Sequence, residues 1–204
     1  EAKNVVTFAG PMRWPEPTYF PLQQRYYVEN SQEFLDAPGE WYLDRRGGTL
    51  YYIPLPGERM ETAEVIAPAL SELLMLRGSA EKGQPVYLLR FEGLRFEHGN
   101  HVLGPLGHAD WQSASTVPAA LVFTGARDCA LLRCRIAQLG GYAIEVAAGS
   151  ENIRIEQCEV NDLGAGGIIL RAGSSGTVIH NNLIHDACHQ FKSGTGILVQ
   201  DSGR

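Results

Sequence analysis

The sequence has little cysteine, little excess charge and no long apolar run. Four cysteines among 204 residues are too few for a disulfide scaffold. Seventeen basic and twenty-three acidic side chains give a net charge of −6, so the basic face of a nucleic-acid-binding protein is missing. No apolar run approaches the roughly 20 residues that a membrane-spanning helix needs. The composition therefore favours a globular chain that neither binds nucleic acid nor spans a bilayer.

Several familiar signals are also absent. There is no phosphate-binding glycine loop, no GxSxG elbow and no HExxH motif. The chain starts at Glu1 without an apolar signal segment and stops at Arg204, shortly after a strand-like stretch. We therefore expect a fragment of a longer protein.

Glycine is the residue in excess, with 23 of 204 positions, and the later glycines punctuate a repeat. Leu131, Ile155 and Ile179 follow one another at steps of 24 residues. The same step relates three further sets: Cys134, Cys158 and Asn182; Ile136, Val160 and Ile184; Leu139, Leu163 and Ala187. A constant period of this length predicts a solenoid.

Each repeat contains short β-type runs separated by glycine or asparagine corners, and no run has the period of a helix. Leucine-rich repeats have a similar length, but their regular leucine spacing is missing. The sequence predicts an all-β fold, a right-handed parallel β-helix of the pectate-lyase-like kind. Extra residues are confined to two places, about sixteen between His98 and Pro118 and five at residues 189–193.

Residues 1–62 lack this period and predict a small antiparallel β element, whereas residues 63–204 predict the first turns of the β-helix. Two alternating runs, Trp41–Asp44 and Thr49–Ile53, are joined by Arg45–Gly48 and indicate a hairpin after a short helix. Residues 64–67 and 73–76 are expected to form further strands. The hairpin aromatics are interpreted mainly as its core, with stacking on sugar rings as the alternative.

The chain resembles large right-handed β-helix proteins, glycoside hydrolase family 141 and its bacterial relatives. The stretches that carry the resemblance run from residue 26 to the C-terminus: residues 26–30, 38–44, 49–54, 91–98, 139–143, 162–168 and 181–186. The resemblance implies fucosidase-like or xylanase-like hydrolysis of a polysaccharide or oligosaccharide, without a cofactor. It also implies catalytic aspartates in later turns beyond Arg204, so that the fragment is expected to be inactive alone. Such substrates imply an extracellular or periplasmic location.

Within the chain, Asp162 and Asp186 are the candidate catalytic pair. They lie 24 residues apart, and stacked turns about 4.8 Å apart would bring them close to the separation of retaining glycosidases. One would act as nucleophile and the other as general acid. The alternative is structural, because aspartate after a strand commonly forms a turn with the backbone.

Six further residues are candidates for binding substrate: His98, Asp110, Trp111, His185, His189 and Asp201. His98, Asp110 and Trp111 belong to the long insertion, and His189 belongs to the short one, where binding groups often lie. His185 adjoins Asp186, but neighbours in a strand are expected to point to opposite faces. The histidine spacings match no zinc pattern, so no metal site is predicted.

Two other functions remain open. A polysaccharide lyase would use an arginine base, and four arginines of the β-helix are available, although without clustered aspartates for calcium: Arg133, Arg135, Arg154 and Arg171. A non-catalytic β-helix for adhesion or glycan binding is the other alternative. In the same repeat, Cys134, Cys158 and Asn182 would form a buried column rather than a metal site or a disulfide.

Overall fold

The computed structural model describes residues 28–79, 81–104, 107–110 and 112–200. These residues belong to two compact units, divided between Ile66 and Ala67. The aromatic residues Trp14, Tyr26 and Tyr27 lie outside the described part of the chain.

The first unit is built around an antiparallel hairpin. A single turn of 3₁₀ helix, Gln32–Phe34, precedes strand β1 (Trp41–Asp44), which pairs with β2 (Thr49–Tyr52). The turn between the strands is closed by Asp44, whose side chain accepts a hydrogen bond from the Arg46 N–H at 2.9 Å. The expected strand at residues 64–67 is wrong, since this stretch has no regular structure.

The second unit is a stack of parallel coils. Its strands, in chain order, are β3 (Leu74–Arg77), β4 (Val86–Tyr87), β5 (Arg90–Glu92), β6 (Arg95–Gly99), β7 (Ala119–Thr124), β8 (Ala126–Arg127), β9 (Ala130–Leu132), β10 (Arg135–Leu139), β11 (Tyr142–Val146), β12 (Arg154–Glu156), β13 (Glu159–Leu163), β14 (Ile168–Leu170), β15 (Val178–His180), β16 (Leu183–His185) and β17 (Ile197–Val199). They form three main parallel sheets and the short pair β4–β8. Sheet one has the order β5-β9-β12-β15, sheet two β6-β10-β13-β16, and sheet three β3-β7-β11-β14-β17.

The register places equivalent residues of successive coils directly beside one another. Ile155 pairs with Ile179 in sheet one, at a step of 24 residues. The step widens to 29 where Ile168 pairs with Ile197, because the five extra residues 189–193 lie between them. Upstream, Phe91 pairs with Leu131 at a step of 40. Insertions therefore leave the ladders intact and emerge between strands.

The core runs along the inside of the coils. Residues such as Leu131, Ile155, Ile136 and Ile144 are completely buried, so each contributes roughly 1.5–3 kcal/mol of hydrophobic stabilisation. Asn182, in the column with Cys134 and Cys158, forms hydrogen bonds with two main-chain groups of the preceding coil. Its amide accepts from the Cys158 N–H and donates to the Ile155 carbonyl, both at 2.8 Å.

The cysteines of this column are thiols rather than a disulfide. Cys134 and Cys158 are each only 2% exposed, and all four cysteines of the chain are free. Each of these two thiols lies within hydrogen-bonding distance of main-chain carbonyls. Burial raises the pKa of the Cys158 thiol. The column is therefore a packing device.

Left-handed residues turn the chain at the ends of the strands. One column of such residues, the bend column, closes sheet two and consists of His98, Gln138, Asp162 and Asp186, with φ values of 62°, 56°, 55° and 47°. Polar side chains tolerate this conformation better than branched ones. The bend column marks where the chain leaves sheet two for sheet three.

The two insertions meet on the outside of sheet three. Ala114 and Val117 from the long insertion and Phe191 from the short one are buried there against Tyr142 and Ile169. The Tyr142 hydroxyl donates to the Ser113 carbonyl. A second, smaller core thus fixes both insertions to the outer face of the coil.

Gly164 is a position where the close approach of two coils excludes a side chain. A Cβ there would overlap the Gly140 carbonyl, whereas a Cβ on Gly196 would meet nothing within 4 Å. We expect Gly164→Ala to lower the free energy of unfolding by about 1–3 kcal/mol, because the backbone must move. Chemical denaturation measures the loss.

Gly196→Ala is the matched control, because it makes the same change to the unfolded chain. Equal stability of the two variants would show that the coils are not in tight contact at Gly164.

Candidate functional site

The bend column brings the predicted catalytic pair onto neighbouring coils. The Leu163 N–H donates to the Asp186 carbonyl at 3.1 Å, which joins the two turns directly after Asp162. The Asp162 side chain is 54% exposed and that of Asp186 is 72% exposed. Two carboxylates therefore stand on the same open bend of consecutive coils.

Each carboxylate has a histidine beside it. His189 Nε2 lies 3.6 Å from Asp162 Oδ1, and His185 Nδ1 lies 2.9 Å from Asp186 Oδ2. The expectation that His185 and Asp186 point apart is wrong. Asp186 has left the strand with a φ of 47°, so the alternation of strand side chains ends at His185.

A row of alternating charges crosses sheet two and ends at this bend. Glu97 contacts Arg95 at 2.7 Å and Arg135 at 3.0 Å, and Arg135 reaches Glu159 at 2.6 Å. Glu159 in turn lies 3.6 Å from His185 Nε2. The row links four coils and leads to the carboxylate of Asp186.

Glu159 is a member of the site that sequence reasoning missed. The bond to Arg135 is the main cause that lowers its pKa, and His185 adds to the effect. The signal was present in the repeat, because Arg135 and Glu159 are 24 residues apart and therefore pair across sheet two.

His98 also belongs to the bend column, two coils before Asp162. Trp111 and Asp201, the remaining aromatic and acidic candidates, lie outside the described residues.

Asp110 is engaged within its own loop. Its carboxylate accepts from the Thr116 N–H at 2.8 Å and from the Thr116 hydroxyl at 2.7 Å, and His108 Nε2 lies 3.1 Å away. Burial opposes the charge of Asp110, but the Thr116 bonds and His108 outweigh it and lower the pKa of the carboxyl. The side chain is 8% exposed. Asp110 therefore holds the long insertion in shape.

The long and short insertions are joined by aromatic contacts. The rings of His101 and His108 meet Phe191 edge-on, with centroid distances of 5.3 and 4.8 Å. Burial lowers the pKa of His101, and the charge of His108 adds to this effect.

A shallow depression lies beside this junction, on the outside of sheet three. It is lined by Gln112, Ser113, Ser115, Leu198 and Gln200. The lining is composed of amide and hydroxyl groups around one apolar side chain, which is the chemistry that hydroxyl-rich ligands need.

Arg171 fixes the rim of the depression. It donates to the Ser115 carbonyl at 2.7 Å and to Gln200 Oε1 at 3.0 Å, and it pairs with Glu145 at 2.7 Å. Sequence reasoning did not find this depression. The repeat indicates only that Glu145 and Leu198 share the outer face of sheet three.

All four arginines considered as lyase bases are paired with glutamates. Arg133 pairs with Glu92, Arg135 with Glu97 and Glu159, Arg154 with Glu156, and Arg171 with Glu145. Among the described residues, no three or more His, Cys, Asp or Glu side chains are grouped so as to hold a metal ion. None of the described helices has the length and apolar character needed to cross a membrane.

Comparison with known proteins agrees with this architecture. Residues 112–204 match the family model of the right-handed beta helix region. Residues 3–55 match the model of the GH141 insertion domain. The chain is a β-helix protein similar to glycoside hydrolase family 141. The predicted resemblance and the predicted all-β, parallel β-helix fold are confirmed.

A solved structure described as "Glycoside hydrolase" shares the fold. It is 22% identical in sequence, matches with a TM-score of 0.72 and covers 83% of this chain. The chain spans 36% of the length of that structure. No curated protein matches the sequence.

The ionised Asp110 predicts a pH-dependent contribution to stability. Its pKa is lower in the folded chain than in the unfolded one, so its stabilisation is present above the unfolded value near 4 and is lost as pH falls through the folded value. We expect Asp110→Asn to cost about 1–2 kcal/mol at neutral pH and progressively less below pH about 4. Urea denaturation at several pH values measures the difference.

Asp128→Asn is the control, because Asp128 is an exposed aspartate that accepts one side-chain bond, from Asn152. A cost of Asp110→Asn that is constant with pH would contradict an ionised, buried carboxylate.

Proposed function

We propose that this chain is part of a glycoside hydrolase that acts on a polysaccharide, with activity of the fucosidase or xylanase kind. The observation that carries the proposal is the pair of exposed carboxylates, Asp162 and Asp186, at one bend of consecutive coils. The matches to the GH141 insertion domain and to the β-helix region, in this order along the chain, support it.

The spacing of the coils supports a retaining reaction. Neighbouring parallel strands lie about 4.8 Å apart, and retaining glycosidases hold their two carboxyl groups about 5–5.5 Å apart. Asp162 and Asp186 are offset by one coil. A separation of this order leaves no room for a water molecule between the second carboxylate and the anomeric carbon, so that carboxylate attacks directly.

The histidine contacts suggest the roles. His185 lies between Asp186 and Glu159, at 2.9 and 3.6 Å, so the closer of these contacts holds the Asp186 carboxyl group in place for attack. In the proposed reaction Asp186 attacks the anomeric carbon to form a glycosyl ester, while Asp162 gives its proton to the departing glycosidic oxygen. Asp162 then takes a proton from water, which attacks the anomeric carbon and releases Asp186.

Substrate would run from the bend column onto the outside of sheet three. His189 lies beside Asp162, and His98 belongs to the bend column two coils earlier. The depression lined by Gln112, Ser113, Ser115, Leu198 and Gln200 offers amide and hydroxyl partners for sugar hydroxyls. Because polysaccharides of this kind occur outside the cell, we propose an extracellular or periplasmic location.

The pair can be tested with substitutions that keep the bend. Asn adopts the left-handed conformation readily, so Asp162→Asn and Asp186→Asn remove the acid chemistry without straining the turn. In the natural full-length protein, we expect each variant to lower the release of reducing sugar from xylan or an aryl fucoside by about 100-fold or more. Initial rates measure the effect.

Asp128→Asn is the matched control, because Asp128 also occupies a left-handed corner, with a φ of 51°, but in another column. Full activity of all three variants would contradict the catalytic roles of Asp162 and Asp186. The catalytic residues would then be the later aspartates that the family resemblance implies. Binding without turnover by the unmodified protein would contradict the hydrolase itself.

A further inference from the structure

The hairpin of the first unit presents an apolar face. In the antiparallel register Trp41 faces Tyr52 and Leu43 faces Leu50, so these four side chains share one side of the two strands. Trp41 is 65% exposed, Leu50 43% and Leu43 36%. We call these four residues the hairpin face.

The exposure of Trp41 contradicts the expectation that this residue belongs to a hairpin core. On the opposite side of the strands, Tyr42 and Tyr51 stack on each other with a centroid distance of 6.3 Å. Trp41 has no such aromatic partner among the described residues. A largely exposed indole next to two exposed leucines loses the hydrophobic stabilisation that burial would give, which is typical of a binding surface.

One end of the hairpin face is held rigid. The Tyr52 hydroxyl donates to Glu58 at 2.6 Å, and the same carboxylate accepts from the Leu55 N–H at 2.9 Å. The Tyr52 ring beside Trp41 is therefore fixed before any ligand arrives, which lowers the entropic cost of binding.

The charge of the first unit restricts the ligand. Residues 28–66 contain eight acidic side chains and three arginines, with no lysine. An anionic polymer, whether a nucleic acid or a uronic acid polysaccharide, would be repelled. A neutral sugar ring combines an apolar C–H face, which packs on an aromatic ring, with hydroxyl groups that remain in water.

We propose that the hairpin face is an accessory binding surface for a neutral polysaccharide, on which Trp41 stacks against a sugar ring. Trp41 and Leu43 are two residues apart along β1, which places them roughly 7 Å from each other, about the length of one sugar ring. The surface uses none of the bend-column carboxylates, so its binding does not depend on hydrolysis.

Binding to insoluble xylan and cellulose tests the proposal in the full chain. We expect Trp41→Ala to weaken binding about tenfold, and Trp41→Phe to retain most of it because a ring remains. Phe34→Ala is the matched control, since Phe34 is 48% exposed in the same unit but lies in the 3₁₀ helix. It should bind as the unmodified chain does. Soluble polygalacturonate should not compete.

Three results would overturn the proposal. They are equal binding by Trp41→Ala and the unmodified chain, competition by polygalacturonate, and a dimer in sedimentation that Trp41→Ala converts to monomer, which would assign the hairpin face to a second copy. Binding and hydrolysis are measured separately, so Trp41-dependent binding without release of reducing sugar would contradict the proposed hydrolase and not this surface. A failure of the proposed hydrolase activity is therefore distinguishable from a failure of this surface.

Discussion

The main-chain hydrogen bonds between successive coils are the constraint on which the β-helix depends. They fix each strand beside its equivalent in the next coil, as Ile155 is fixed beside Ile179. Each position in a strand of one coil therefore has an equivalent position on the next coil, although the amino acid there can differ. The interior uses this repetition for packing, and the exterior uses it for rows of charge such as the one from Arg95 to His185.

The same constraint decides where chemistry can be placed. Inward-facing strand residues form the core, several outward-facing ones form ion pairs between coils, and the insertions leave between strands. Within the described part of the chain, the left-handed residues of the bend column have no partner in the strand register, and the side chains of Gln138, Asp162 and Asp186 are exposed. In this column the chain places an exposed acid on each of two adjacent coils, Asp162 and Asp186.

Periodicity made the parallel coils predictable, because Leu131, Ile155 and Ile179 occur where one interior column requires them. It predicted the offset of Asp162 and Asp186 for the same reason. It did not predict the contact between His185 and Asp186, since that depends on a single left-handed residue ending the strand. Nor did it predict the junction of Phe191 with His108 or the depression beside Leu198, because insertions carry no repeat that fixes where they fold back.

For the hairpin, the sequence predicts the strands correctly but does not predict which side chains are buried. Alternating aromatic and aliphatic residues predict two strands, and β1 and β2 form, but alternation does not say which side is covered. In a β-helix coil the inside is defined by closure of the chain on itself, so the apolar set is buried by geometry. A two-stranded hairpin has no inside of its own. Trp41 is exposed for that reason. Its environment depends on whatever binds this surface, which the alternation of residues in the strands does not determine.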